Sequence, residues 1–191
     1  LREIDHIFTL ARSITYLSGD DMRMTYELKE EPTGEIYHKL IDHALFECRF
    51  VLLVVRDSVR ISESGQLILR KMKKFLKSKA RGGEWPGTKL LSASKATLYK
   101  YELSWEVAEI LKMAVRGLYD WVQPQRPEDL CLLRSDGTPW LASIAHEKDA
   151  YFTLSGEEKQ RLIKVLPSLT RHRKTKIGRK TGGVPNGNAH P

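Results

Sequence analysis

The chain has few cysteines and no long apolar run. Its two cysteines, Cys48 and Cys131, are too few for a disulfide framework and lack the spacing of a zinc site. The longest apolar run, Phe50 to Val55, is too short to cross a bilayer and suits a buried strand. These shortages exclude a disulfide-rich secreted domain and a membrane-spanning segment, and they predict a cytoplasmic protein with no membrane partner and with reduced thiols.

Motifs that carry a known chemistry are also missing. The patterns GxxxxGK[ST] and GxGxxG, which bind nucleotide phosphates, and the nucleophile elbow GxSxG do not occur. His146-Glu147 begins like the zinc motif HExxH, but the position of the second histidine is Ala150. We therefore expect no cofactor, no metal and no catalytic constellation of these classes.

Positive charge is abundant but unevenly distributed. The formal net charge is +8, yet six of the 32 basic residues and none of the 24 acidic ones follow Thr170. Residues 1–169 thus hold 26 basic and 24 acidic side chains. Within them, the segment 70–81 carries seven positive charges and no negative one. The composition, with 41% hydrophobic and 29% charged residues, is that of an ordinary globular protein.

The most informative stretch, residues 127–158, contains two tight turns. Asp136-Gly137 is typical of a type I′ turn and predicts a hairpin with those two residues as its loop. This register places Leu133 opposite Trp140 and Cys131 opposite Ala142.

A second reversal at Glu147-Lys148 adds a third antiparallel strand. It pairs His146 with Asp149 and Ile144 with Tyr151. A carboxylate beside an imidazole could serve as an acid-base pair or could simply close the turn.

Side chains alternate across a strand, so the predicted register sorts this three-strand meander into two faces. One face is apolar enough to be the core side, and the other is mixed and aromatic. A helix of the same chain could cover the second face, or a partner could bind there, because Trp and Tyr anchor interfaces. Glu128 and Asp129 form an acidic corner beside this second face. The predicted partner-binding residues are Leu133, Trp140, His146, Tyr151, Glu128 and Asp129.

Helical and strand patterns interleave along the rest of the chain. Three sites are placed to cap helices, namely Ser62 or Ser64, Ser104, and Ser155, and 49–56 reads as a central strand. We predict a single α+β domain over residues 1–169, with a mixed or largely antiparallel sheet packed by several helices. Residues 170–191, rich in basic residues, glycine and proline, are predicted to be a disordered tail.

Three functions remain open. The first is a non-enzymatic protein that binds and neutralises or regulates a macromolecular partner, most readily another protein. The second is a nucleic-acid-associated protein that uses a basic helix over 70–81 and the basic tail, because phosphate binding needs clustered Lys and Arg. The third is an enzyme with the His146/Asp149 pair. The residues predicted for nucleic-acid binding are Arg70, Lys71, Lys73, Lys74, Lys77, Arg171, Arg173 and Lys174.

Overall fold

Helices lie on one side of a large antiparallel sheet in the computed structural model, which describes residues 14–15, 23–91 and 94–167. The strands are β1 (Ile14–Thr15), β2 (Arg23–Glu27), β3 (Phe50–Arg56), β4 (Leu76–Gly82), β5 (Glu84–Trp85), β6 (Thr88–Lys89), β7 (Ala96–Glu102), β8 (Glu128–Leu133), β9 (Pro139–Ile144) and β10 (Asp149–Leu154). The helices are α1 (Glu35–Glu47), α2 (Glu63–Met72), α3 (Trp105–Ala114) and α4 (Gly156–Val165). The predicted tail, residues 170–191, lies outside the described residues.

Eight strands form the main sheet in the order β1-β2-β10-β9-β8-β3-β7-β4, and every neighbouring pair is antiparallel. The remaining two strands, β5 and β6, form a separate hairpin. The predicted central strand is confirmed as β3, which has a neighbour on each side and is buried along Val51 to Val54. The α+β class with a largely antiparallel sheet is therefore confirmed.

The two faces of the sheet are covered differently. The helix face carries the main core, where strand residues such as Val51, Leu132 and Phe152 pack with apolar residues of all four helices. The opposite face, here called the hairpin face, carries a smaller cluster that includes Leu52 and Cys131 and is covered by Trp85 of the β5–β6 hairpin. A burial of this extent is the main source of the domain's stability.

Serine caps begin three of the helices, as the sequence predicts. The side-chain oxygens of Ser62, Ser104 and Ser155 accept the backbone N–H of Gly65, Val107 and Glu158, respectively. Such caps satisfy N–H groups that a helix start leaves without a partner.

The predicted basic helix over 70–81 is wrong in its second half. Helix α2 ends at Met72, a 3₁₀ turn follows, and Leu76–Gly82 is strand β4. Apolar residues at helical spacing run out after Leu76, and pairing with Tyr101 and Tyr99 of β7 holds the segment extended instead. Lys77 and Lys79 therefore lie on the edge strand of the sheet.

The first hairpin turn has three loop residues, not two. Arg134 N–H donates to Thr138 O at 2.9 Å, and Gly137, with φ 84°, takes the left-handed position of a three-residue loop. Cys131 still faces Ala142, as predicted, but Leu133 faces Pro139. The predicted pairing of Leu133 with Trp140 is wrong because the longer loop introduces a bulge there.

The second turn is also longer than predicted. Residues 145–147 form a 3₁₀ turn and Lys148 is left-handed, so Asp149 pairs with Ile144 and Tyr151 with Ala142. The register differs from the predicted one by two residues, which leaves every side chain of β10 on its predicted face. The predicted pairing of His146 with Asp149 is wrong.

Among the described helices the longest has 13 residues. None has the length and apolar character that a bilayer crossing requires.

Candidate functional site

A bulge at the start of β8 creates the most polar cluster in the interior. Between Leu52/Cys131 and Val54/Glu128 the pairing of β3 with β8 shifts by one residue, and Asp129 has φ 53°. Asp is one of the few residues that tolerate this left-handed backbone. Bulges redirect side chains, and this one turns Asp129 toward the β5–β6 hairpin.

The carboxylate of Asp129 is fully buried and holds two separate segments to β8. Its Oδ2 accepts the indole N–H of Trp85 at 2.9 Å and the hydroxyl of Thr88 at 3.4 Å, and its Oδ1 accepts the N–H of Ala145 at 2.8 Å. Burial raises the pKa of Asp129, although the hydrogen bonds from Ala145 and Trp85 act in the opposite direction. The residue therefore anchors the β5–β6 hairpin and the β9–β10 turn.

Glu128 meets a guanidinium and an imidazole at one oxygen. Its Oε1 lies 2.8 Å from Nη2 of Arg56 and 3.2 Å from Nδ1 of His146, and those two nitrogens are 3.1 Å apart. Burial raises the pKa of Glu128, against the lowering effect of Arg56. His146 is the exposed member of the group.

The ligand atoms of Glu128, Asp129 and His146 lie within 4.8 Å of one another, as in many metal sites. Both oxygens of Asp129 already accept protein donors, and Arg56 adds a positive charge beside Glu128 and His146. A cation would have to displace these contacts. We interpret the cluster as an internal network of ion pairs and hydrogen bonds.

The predicted docking residues do not form one exposed surface. Leu133 and Trp140 are buried, on the hairpin face and the helix face respectively, so an exposed anchor built on them is ruled out by their positions. Trp140 packs edge-on against Phe152, with ring centroids 5.0 Å apart. Its bulged position turns the indole toward the helices.

The remaining predicted docking residues lie close to the polar cluster. Glu128 and Asp129 are buried members of it, and Tyr151 is half-buried beside Gly87 of the β5–β6 hairpin. The sequence interpretation missed Arg56 as a partner of this group. The sequence does place Arg56 at the end of the predicted buried strand, where a charged side chain calls for a partner.

The basic segment, residues 70–81, presents its charged side chains to solvent. All seven of its positive side chains are exposed along α2, the 3₁₀ turn and β4. Two of them are in ion pairs, Lys77 with Glu102 and Arg81 with Asp57. Within the described part of the chain, the other five have no ion pair: Arg70, Lys71, Lys73, Lys74 and Lys79.

Two of these lysines lie near aromatic rings. Nζ of Lys79 is 5.2 Å from the ring centroid of Tyr99, and Nζ of Lys74 is 4.7 Å from that of Phe75. Strand β4 is the last strand of the sheet, so its outer backbone groups also face away from β7. The predicted nucleic-acid residues Arg171, Arg173 and Lys174 lie outside the described residues.

Comparisons of the chain with protein-family models, with curated proteins and with solved structures find no match.

Proposed function

We propose that this protein binds nucleic acid through the basic segment, residues 70–81. The observation that carries the proposal is the set of seven exposed positive side chains within twelve residues, five of which form no close ion pair among the described residues. Binding to phosphates gains free energy by releasing condensed counterions, and it needs cations that are not already neutralised.

The strand geometry suits a backbone-directed, sequence-independent mode. Successive residues on one face of a strand lie about 6.7 Å apart, and Lys79 and Arg81 share such a face. Contacts to phosphates carry no sequence information, so we expect affinity to depend on charge and salt rather than on sequence.

Titration of a labelled single-stranded oligonucleotide at several salt concentrations tests the proposal. The variant Arg70→Gln/Lys73→Gln/Lys79→Gln removes three exposed charges. If all three contact phosphates, the slope of log affinity against log salt should become shallower by about 2.

A matched control removes the same charge elsewhere. The variant Arg60→Gln/Lys148→Asn/Lys164→Gln changes exposed residues outside the basic segment. We expect it to bind with nearly the affinity of the wild type, apart from a small decrease caused by its lower net positive charge. Equal weakening by both triple variants, or wild-type affinity that is independent of salt, contradicts the proposal.

The basic tail is part of the same proposal. Replacing Arg171, Arg173 and Lys174 with glutamine in the full chain should further weaken binding, because each exposed cation contributes to the attraction. Binding unchanged by this variant would limit the site to the basic segment. The free cysteines Cys48 and Cys131 support the cytoplasmic location that we include in the proposal.

A second candidate function is the binding and regulation of a protein partner. Phe46 is 86% exposed and Trp105 is 68% exposed. Helices α1 and α3 run antiparallel, with Gly34 bonded to Arg116 at one end and Leu103 bonded to Arg49 at the other. Both aromatic side chains therefore lie at the same end of this helix pair, and exposed aromatic residues are typical interface anchors.

A comparison of captured proteins tests this second candidate. Wild-type protein and the variant Phe46→Ser/Trp105→Ser are each used to capture partners from an extract of the source cells. The candidate is supported by a protein that the wild type captures in a 1:1 ratio and that the variant does not capture. Identical sets of captured proteins count against it.

A further inference from the structure

A cleft of about 580 Å³ opens at the C-terminal end of α3, outside the polar cluster described above. This volume lies in the range of small-molecule sites. Its charged lining residues are Lys112, Arg116, Arg126 and Asp120, and the exposed His38 also lines it. The cleft thus has an excess of positive charge.

The charges in the cleft are not equally available. Nζ of Lys112 is 2.6 Å from both Asp42 and Glu109, so this amine is already neutralised. Asp120 Oδ2 accepts the backbone N–H groups of Arg116 and Gly117 at 3.0 and 2.9 Å. The guanidinium groups of Arg116 and Arg126 form no ion pair in the described part of the chain and are left for a ligand.

Arg126 is held in position before any ligand arrives. Its Nε donates to Ala114 O at 2.9 Å, and its Nη1 donates to Gln125 O at 2.8 Å and to the hydroxyl of Ser64 at 3.3 Å. Among the described contacts none uses Nη2. A fixed guanidinium with a free N–H edge loses little entropy when it binds an anion.

The carbonyl groups at the end of α3 would oppose an anion if they were free. Ala114 O is occupied by Arg126, Leu111 O accepts the hydroxyl of Tyr37 at 3.4 Å, and Arg116 O accepts the N–H of Gly34 at 2.7 Å. Two of the last four carbonyl groups of α3, those of Leu111 and Ala114, thus already accept hydrogen bonds within the protein.

We propose that this cleft binds a phosphomonoester between Arg116 and Arg126. A phosphomonoester carries nearly two negative charges at neutral pH, which matches two unpaired guanidinium groups, and its oxygens accept paired N–H donors. The phosphate comes either from a free nucleotide or from the end of a nucleic-acid chain. The second source rests on the proposed function.

The position of the cleft connects it with the basic segment. A small pocket of about 60 Å³, lined by Ile68, Lys71 and Ile110, shares Met113 and Ala114 with the cleft. Lys71 belongs to the basic segment, so a strand that follows this segment can place its terminal phosphate in the cleft.

Two oligonucleotides of one sequence, with and without a terminal phosphate, test the proposal beside a nucleoside monophosphate and inorganic phosphate. We expect the terminal phosphate to strengthen binding, or the free nucleotide to bind, and Arg116→Gln to reduce that gain about tenfold or more. Arg126→Lys should also weaken binding, because it keeps the charge but loses the planar fork. Lys164→Gln, on the exposed side of α4, is the matched control and should have no effect.

The outcomes separate this site from the proposed function. Binding of the free nucleotide with no preference between the oligonucleotides supports the site and identifies a free phosphomonoester as its ligand. Absence of both effects overturns the site, while salt-dependent binding of the unphosphorylated oligonucleotide would leave the proposed function standing. An equal loss for both oligonucleotides in Arg116→Gln also overturns the site. Arg116 is exposed and its side chain has no described contact, so this variant should fold normally.

Discussion

Arg134 and Glu158 form a buried two-point ion pair that joins the β8–β9 turn to helix α4. Nε and Nη2 of Arg134 each lie 2.7 Å from a carboxylate oxygen of Glu158. The guanidinium also donates to Pro139 O at 2.8 Å and to Thr153 O, so the pair is extended by hydrogen bonds to two strands. Such a pair is sensitive to the loss of one member, because the other charge is then buried alone.

Glu158→Ala should reduce the free energy of unfolding by about 3–5 kcal/mol. Glu157→Ala, one residue away on the same helix, is the control, because that side chain is 91% exposed. Urea denaturation of both variants measures the difference. Similar losses for the two variants would mean that the pair contributes nothing specific.

The same pair should make stability depend on acid pH. Burial alone would raise the pKa of Glu158, but the hydrogen bonds from Arg134 and from the Ser155 N–H outweigh it and hold the pKa below 4.5. The unfolded state therefore takes up the proton first as pH falls. The contribution of the pair to the free energy of unfolding is complete above about pH 4.5 and disappears at lower pH. Glu158→Ala should abolish this pH dependence in unfolding measurements across that range.

Two tryptophans should respond in opposite ways to truncation. Trp140 is fully buried between His43 and Phe152, so Trp140→Ala should cost about 3–5 kcal/mol of stability. Trp105 is largely exposed, so Trp105→Ala should change stability by no more than about 0.5 kcal/mol. Chemical denaturation of both variants is the measurement. Comparable costs would show that one of the two burial assignments is incorrect.

His43 should give the protein a second pH dependence. Burial lowers the pKa of this imidazole below 6.5; the Glu47 carboxylate opposes that effect and Arg161 adds to it. The unfolded state then binds a proton more readily than the folded state, so stability is complete above about pH 6.5 and falls as pH decreases. The variant His43→Gln should flatten this part of the stability profile. An unchanged slope would contradict the prediction.

Asp129 and Trp85 should be energetically coupled. Trp85→Phe and Asp129→Asn each disturb the buried hydrogen bond between them, at an expected cost of about 1–3 kcal/mol. In a double-mutant cycle the double variant should lose less stability than the sum of the two single losses, by at least about 0.5 kcal/mol. Strict additivity would mean that the two residues act independently.

Local signals were sufficient for several elements of the fold. Ser104 and Ser155 cap helices as predicted, since a cap depends only on the neighbouring residues. The β-branched and apolar run that ends at Arg56 is the buried strand β3. In each case the deciding interactions lie within a few residues of sequence or are encoded by the apolar pattern.

Long-range pairing explains the errors. Residues 76–82 lack apolar spacing of their own, and they become a strand because Tyr99 and Tyr101 lie opposite. The extra residue in the Asp136-Gly137 loop, with the bulge that follows it, moves Trp140 from the predicted mixed and aromatic face to the core on the helix face. The polar cluster joins Arg56, Trp85 and Asp129 from three distant segments, so no local motif marks it.

Whether the β9–β10 turn gains an even or an odd number of residues decides which face of the sheet the β10 side chains occupy. Its actual register differs from the one expected of a tighter turn by two positions, yet Phe152 and Leu154 remain in the core. Lengthening the turn by two residues leaves these side chains inside, whereas a single insertion brings Tyr151 inward and expels both of them. Evolution or engineering can therefore remodel this loop in even steps at little cost.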